Sequence, residues 1–282
     1  MQATINHIRT NLNGLYPPQE IEQFILLIFH HLAGYSRVDL ILHKNNKLSD
    51  SLREEAFRIT ERLRTFEPIQ YILGETEFLG FRFHVRPGVL IPRPETEELI
   101  ELIRTENSGR EGNLLDIGTG SGCIAISIAK LLPHLKVSAW DVSPEALEIA
   151  RENASLNDAQ VDFRLTDVLT VQPNEIPARY DLIVSNPPYI CQSEKREMER
   201  NVLDYEPHLA LFVEDSDPLL FYRRIAELGG DLLTPGGSLY FEINARFGAE
   251  TVEMMQETGY TDVHIVCDIH GKERMVRGTK TT

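Results

Sequence analysis

A chain of 282 residues with 42% hydrophobic composition is long enough for one large domain beside a small one, and apolar enough for a globular core. Its formal net charge of −15 argues against a partner that is mainly phosphate backbone, because that kind of binding relies on Lys and Arg releasing counterions. Three widely spaced cysteines, Cys123, Cys191 and Cys267, with no Cys-x-x-Cys pair, argue against a disulfide scaffold or a zinc knuckle and fit a reducing cytoplasm. The acidity serves solubility in the first place and also suits a cationic ligand. The start, Met1 to Asn6, lacks a basic segment followed by an apolar one, so no secretory leader is expected.

Residues 1–73 read as a small all-helical domain. Ile5, Ile8 and Leu12 recur at helical spacing, and Pro17-Pro18 breaks the chain. A second helix is expected over Gln19–Leu32, with Gly34 ending it. Its apolar run Phe24–Phe29 is far too short to span a bilayer and reads as a buried stripe. Ser49 is a candidate N-cap for a helix whose apolar face is Leu52, Ala56, Ile59 and Leu63. The segment 74–91 changes character: Phe78, Phe81 and Phe83 around Gly80 predict a short β-hairpin linking two domains. Pro94 then opens a helix, with Glu95, Glu97 and Glu98 favourably placed at the positive end of its dipole.

Within 92–282, apolar strands alternate with helical segments, which predicts a doubly wound α/β sheet covered on both faces. The strand candidates are Leu114–Ile117, Val137–Trp140, Asp162–Leu165, Leu182–Ser185, Ser238–Ile243, Val263–Cys267 and Arg274–Arg277. The last two flank a short turn containing Gly271 and are expected to form an antiparallel hairpin.

Two motifs carry chemistry. The first is a buried strand, the loop Gly118-Thr119-Gly120-Ser121-Gly122 and an apolar helix, in which the glycines let backbone approach a ligand. Cys123 occupies the last position of a dinucleotide-type Gly-x-Gly-x-x-Gly, so that fingerprint is not met. A second apolar run ends in Asp141, nineteen residues after Gly122, where a strand-end acid accepts hydrogen bonds from ribose hydroxyls. The pair fits a nucleoside cofactor, with NAD and S-adenosylmethionine both open at this point.

The second motif is Asn186-Pro187-Pro188-Tyr189, which ends the apolar run from Asp181. Two prolines cannot continue a ladder, so carbonyls beside them stay available as acceptors. Asn186 adds a side-chain acceptor and Tyr189 an aromatic face, which together suit a planar –NH2 group. The plain alternative is a Pro-rich turn after a strand.

In this order the motifs resemble the class I S-adenosylmethionine-dependent methyltransferases of the amino type. The chain is most similar to the release-factor glutamine methyltransferase family. The resemblance rests on Gln70–Gly74, Phe81–Glu97, Leu115–Gly122, Asp141–Pro144 and Ser185–Ile190, which span most of the chain. It implies a seven-stranded methyltransferase sheet whose final strand is antiparallel, and S-adenosyl-L-methionine held by Gly118, Thr119, Gly120, Ser121, Gly122, Asp141, Val168 and Asn186. It also implies a glutamine placed by Asn186, Pro187, Pro188 and Tyr189, of which Asn186, Pro187 and Tyr189 are catalytic. The substrate it implies is the Gly-Gly-Gln glutamine of peptide-chain release factors, docked by the helical domain.

An amide nitrogen is a poor nucleophile, so positioning by Asn186 and the Pro187 carbonyl is the expected source of rate, and no general base is named. Thr96 borders the pocket in the family. Asp116 reads equally as a contact to the cofactor ammonium through the loop and as a cap of the helix turn, and Glu242 as structural. No metal is expected: His30 and His31 are adjacent on a helix and do not share a face. The loop serine lacks the Gly-x-Ser-x-Gly spacing of a nucleophile elbow. Two other functions are compatible with the motifs. One is an adenine amino-methyltransferase on nucleic acid, which would want a basic stripe that the sequence lacks. The other is a non-catalytic S-adenosylmethionine-binding adaptor, which would have no chemical need for Asn186. The expected protein is a cytoplasmic monomer with neither nucleic acid nor membrane as a partner.

Overall fold

The computed structural model describes residues 1–281. The chain begins with α1 (Gln2–Leu12), α2 (Pro18–Ala33), α3 (Arg37–Leu42), α4 (Asp50–Leu63) and α5 (Ile69–Leu73). A hairpin follows, β1 (Glu75–Phe78) and β2 (Phe81–His84), then α6 (Pro94–Glu106), β3 (Gly112–Ile117) and α7 (Cys123–Leu131). Next come β4 (Leu135–Asp141), α8 (Pro144–Leu156), β5 (Val161–Leu165), β6 (Tyr180–Ser185) and β7 (Ile190–Cys191). The last third holds α9 (Arg200–Tyr205), α10 (His208–Leu211), β8 (Phe212–Val213), α11 (Leu220–Leu232) and β9 (Leu233–Glu242). It closes with α12 (Gly248–Glu257), β10 (Tyr260–Cys267) and β11 (Glu273–Lys280).

These elements form two compact units, residues 1–74 with 199–205, and residues 75–198 with 206–281. The first is all helical. Its core gathers Ile5, Ile8 and Leu12 of α1, Phe24, Ile25 and Ile28 of α2, and Ile59 and Leu63 of α4. Gly34 ends α2 in the left-handed conformation, φ 68°, and Ser49 caps α4 by accepting from Leu52 N, as the spacing predicts. Within this unit the Tyr205 hydroxyl donates to the Thr65 carbonyl at 2.9 Å, tying α9 to the end of α4.

The second unit is a seven-stranded sheet in the order β10-β11-β9-β6-β3-β4-β5. β3, β4, β5, β6 and β9 run parallel, and β11 is antiparallel to both neighbours. Alternate residues of the central strands feed two separate cores. On one side lie Leu114, Leu182, Val184 and Tyr240, with α6 and α7 above them. On the other lie Leu115, Ile183, Leu239 and Phe241, with α11 and α12. Burial on both faces is why these strands read as unbroken apolar runs rather than as alternating ones. The hairpin belongs to this unit: Phe78 and Phe83 are fully buried in the first of the two cores, each worth roughly 1.5–3 kcal/mol of burial.

Candidate functional site

Strand order reverses beside β3: β4 and β5 lie on one side of it, β6 and β9 on the other. Ligands of open α/β sheets bind at such a switch point, beyond the carboxyl ends of the strands. Register brings those ends level, with Ile117 opposite Trp140 and Ser185, and Ser185 opposite Phe241. The Ser185 hydroxyl pins two of them by donating to the Ile117 carbonyl at 2.6 Å. A cavity of about 260 Å³ opens here, lined among others by Gly118, Asp141, Val168 and Asn186.

The glycine loop divides into two roles. Gly118 and Gly120 have φ of +77° and +55°, and a Cβ added at either would meet nothing within 4 Å. Both line the cavity, with Thr119 and Ser121. Gly122, φ +83°, does not line it; a Cβ there would come 2.8 Å from Ile126 and 3.2 Å from Ala150. Gly122 thus allows the loop to turn closely onto α7 and α8, and its service to a ligand is indirect.

Asp141 holds this loop from the neighbouring strand. Its Oδ2 accepts from Gly120 N at 2.8 Å and its Oδ1 from Ser143 N at 2.9 Å. A carboxylate has about four lone-pair positions, so both oxygens keep capacity for hydroxyl donors. Burial raises its pKa above the ordinary value, and the two backbone donors oppose that shift. Asp116 lies beneath the loop, fully buried and off the cavity wall, and accepts from the Thr119 hydroxyl at 2.6 Å. Burial pushes its carboxyl up to about 7, against the lowering effect of that bond. In this position it supports the loop. Cys123 reaches the cavity, but burial pushes its thiol up to about 12, which makes it inert as a nucleophile near neutral pH.

Asn186 follows β6 at the cavity rim, with Pro187 and Pro188 beside it. Its Nδ2 donates to the Thr96 hydroxyl at 3.3 Å, and Thr96 in turn donates to Glu242 Oε2 at 2.7 Å. Tyr189 departs from the expected slot wall. It does not line the cavity; its hydroxyl donates to the other Glu242 oxygen at 3.1 Å, and its ring packs against the core under α11. Burial first, then the Glu242 carboxylate, raise the phenol well above its ordinary pKa. Glu242 is itself buried, and that burial raises its pKa while the Thr96 and Tyr189 hydroxyls oppose the shift.

Sequence reasoning named Asn186, Asp141, Val168 and the loop, and the fold brings all of these except Gly122 to one cavity wall. It missed Glu242 as an organiser and left Thr96 marginal; both sit at element ends, α6 and β9, that only the sheet order brings together. It also missed Glu206, buried in this unit, which accepts from Ile91 N at 3.1 Å and pairs with Arg93 at 2.5 Å. The available signal was a charged residue directly before a proline, Glu206-Pro207. Phe221 and Ile225 of α11 complete the apolar part of the cavity. No cluster of His, Cys, Asp or Glu among the described residues could hold a metal ion.

Two family models match the chain: PrmC N-terminal domain over residues 5–74 and Methyltransferase small domain over residues 94–204. A release factor glutamine methyltransferase of Bacteroides thetaiotaomicron is 52% identical over 280 residues, 99% of this chain and 100% of that one. One of Flavobacterium psychrophilum is 47% identical over 94% of each chain. Among solved structures, a methyltransferase from Pyrococcus furiosus superposes with a TM-score of 0.55 at 20% identity, over 73% of this chain and 91% of that one, a likeness of fold.

Proposed function

This chain belongs to the release factor glutamine methyltransferase family, and we propose on that premise that it methylates the side-chain amide nitrogen of the Gly-Gly-Gln glutamine of peptide-chain release factors. One observation carries the chemistry: the Asn186 amide stands on the cavity rim with Nδ2 committed to Thr96 and Oδ1 uncommitted among the described residues. An oriented acceptor of this kind selects a donor, and a carboxamide –NH2 is a donor with two hydrogens.

The cavity fits S-adenosylmethionine by the chemistry of its walls. The open backbone at Gly118 and Gly120 suits close approach, and Asp141 has spare acceptor capacity for ribose hydroxyls. Val142 and Val168 offer flat apolar contact for a base, and Thr119 and Ser121 offer hydroxyls. When bound, this cofactor supplies an electrophilic methyl group on a sulfonium.

The rest is done by the chain. Asn186 Oδ1 and the Pro187 carbonyl accept the two amide hydrogens and so point the nitrogen at its target. As positive charge develops on nitrogen, the same two acceptors stabilise it without reorganising. Holding two reactants in attack geometry supplies roughly 7–11 kcal/mol of a barrier, which suits a nucleophile that no side chain here could deprotonate at neutral pH. Water takes the proton afterwards. Pro188 walls the slot, and Tyr189, tied to Glu242, stiffens the turn that carries Asn186. We assign docking of the release factor to the helical unit, and place the enzyme in the cytoplasm as a monomer that acts on protein and not on nucleic acid.

Asn186→Ala tests this reading. It should fold and bind S-adenosylmethionine with near-normal affinity by calorimetry, yet lose roughly 100-fold or more in kcat, since the lost contact matters most in the transition state. Near-normal turnover would remove Asn186 from the mechanism.

A further inference from the structure

Counting hydrogens in the buried network around Asn186 assigns a role to Glu242. The Thr96 hydroxyl carries one hydrogen, and both Glu242 oxygens accept, one from Thr96 and the other from Tyr189. At 2.7 Å from Glu242 Oε2, that hydrogen belongs to the Thr96–Glu242 bond. The Thr96 oxygen can then only accept, and the atom of Asn186 that can donate to it is Nδ2, which stands 3.3 Å away. The second Glu242 oxygen is held in the same way by the Tyr189 hydroxyl at 3.1 Å. With Thr96 and Glu242 both at or below 2% exposure, water does not compete for these bonds.

We infer that Glu242, which reaches no wall of the cavity, is a positioning residue: acting through Thr96, it dictates which end of the Asn186 amide faces the methyl acceptor. This deepens the reading above and rests on it. An unheld amide turns over between two poses of nearly equal shape. In one, Oδ1 accepts from the substrate amide; in the other, an –NH2 faces an –NH2 and the slot rejects its substrate. The carboxylate removes the second pose by polarity alone. Its anchorage supports this: Glu242 is the last residue of β9, in register with Met275 of β11, and its own carbonyl accepts from the Tyr222 hydroxyl at 3.2 Å. The relay therefore starts from the interior of the sheet.

Glu242→Gln keeps the shape and replaces one of the two acceptors by a donor. The introduced amide can donate to Thr96, which frees the Thr96 hydrogen to bond Asn186 Oδ1 and withdraws the acceptor from the slot. Thr96→Val deletes the relay, and Thr96→Ser retains it. The test has two arms, on folded protein verified by thermal melting. In the first, protein labelled with 15N at asparagine is observed by NMR without any substrate. Wild type and Thr96→Ser should show an Asn186 side-chain hydrogen that exchanges slowly with solvent, and Glu242→Gln and Thr96→Val should lose that protection. In the second, methyl transfer to a release factor is measured with calorimetric binding of S-adenosylmethionine. kcat should fall at least about tenfold in Glu242→Gln and Thr96→Val, and stay within about threefold in Thr96→Ser, with cofactor affinity little changed in all three. If Glu242→Gln does not fold, the Thr96 pair decides the matter. An Asn186 resonance unaltered in Thr96→Val overturns the relay, as does Thr96→Ser failing as badly as Thr96→Val. A wild type that labels no release factor overturns the function instead, and the NMR arm still decides the relay.

Discussion

Asp116 has no access to water, and its pH behaviour follows from that. Burial raises its carboxyl from the ordinary carboxylate range to about 7. Between the two values the folded chain keeps a proton that the unfolded chain has lost, so stability falls as pH rises through this window. At about 1.4 kcal/mol per pKa unit, the loss is on the order of 4 kcal/mol between pH 4 and 7. Asp116→Asn has no such proton. Its stability relative to wild type should therefore improve from pH 4 to pH 7 in urea unfolding and level off above that, and parallel curves would show that Asp116 does not titrate there. At this scale the sequence was legible where residue type alone limits the chemistry. Asn186 before two prolines and Asp141 at a strand end could be read directly. Glu242 could not, because its partner Thr96 is 146 residues away and no local pattern announces the pairing. Tyr189 was read as an aromatic face, and its hydroxyl turned out to hold more than its ring does at the cavity.

At the scale of elements, periodicity carried most of the information. The seven sheet strands were all readable, the central β3 and β6 and the end of β9 most plainly because both faces are covered and their runs stay apolar. The short pieces were not: α3, α10 and the pair β7–β8 are too brief for a period to show. The grouping of residues 199–205 with the helical unit was equally invisible, since it rests on contacts such as Tyr205 to Thr65 rather than on composition. The glycine loop offers a test that separates packing from binding. Gly122→Ala combines a positive φ with a 2.8 Å approach to Ile126 and should cost about 2–4 kcal/mol of stability. Gly120→Ala meets open space, so it should cost only about 1 kcal/mol and act chiefly by weakening cofactor binding. Thermal unfolding and calorimetry on the two variants check the pair; equal loss of stability in both would contradict this division of the loop.

For the whole molecule, charge separates acceptors that the site itself does not. The slot beside Asn186 suits any planar –NH2, adenine included. A chain of net charge −15 has to approach a nucleic acid against repulsion, and gains little counterion release in return. A folded protein acceptor lacks a continuous phosphate backbone, and contacts remote from the glutamine can be spent on placing it. No helix among the described residues is long and apolar enough to cross a membrane. The most direct test is methyl transfer from radiolabelled S-adenosylmethionine to five acceptors side by side: intact release factor, the same factor with Gly-Gly-Gln changed to Gly-Gly-Glu, a short Gly-Gly-Gln peptide, tRNA and DNA. Label should enter the intact release factor, far less the peptide, and none of the other three. Label on tRNA or DNA with none on the release factor would contradict this account.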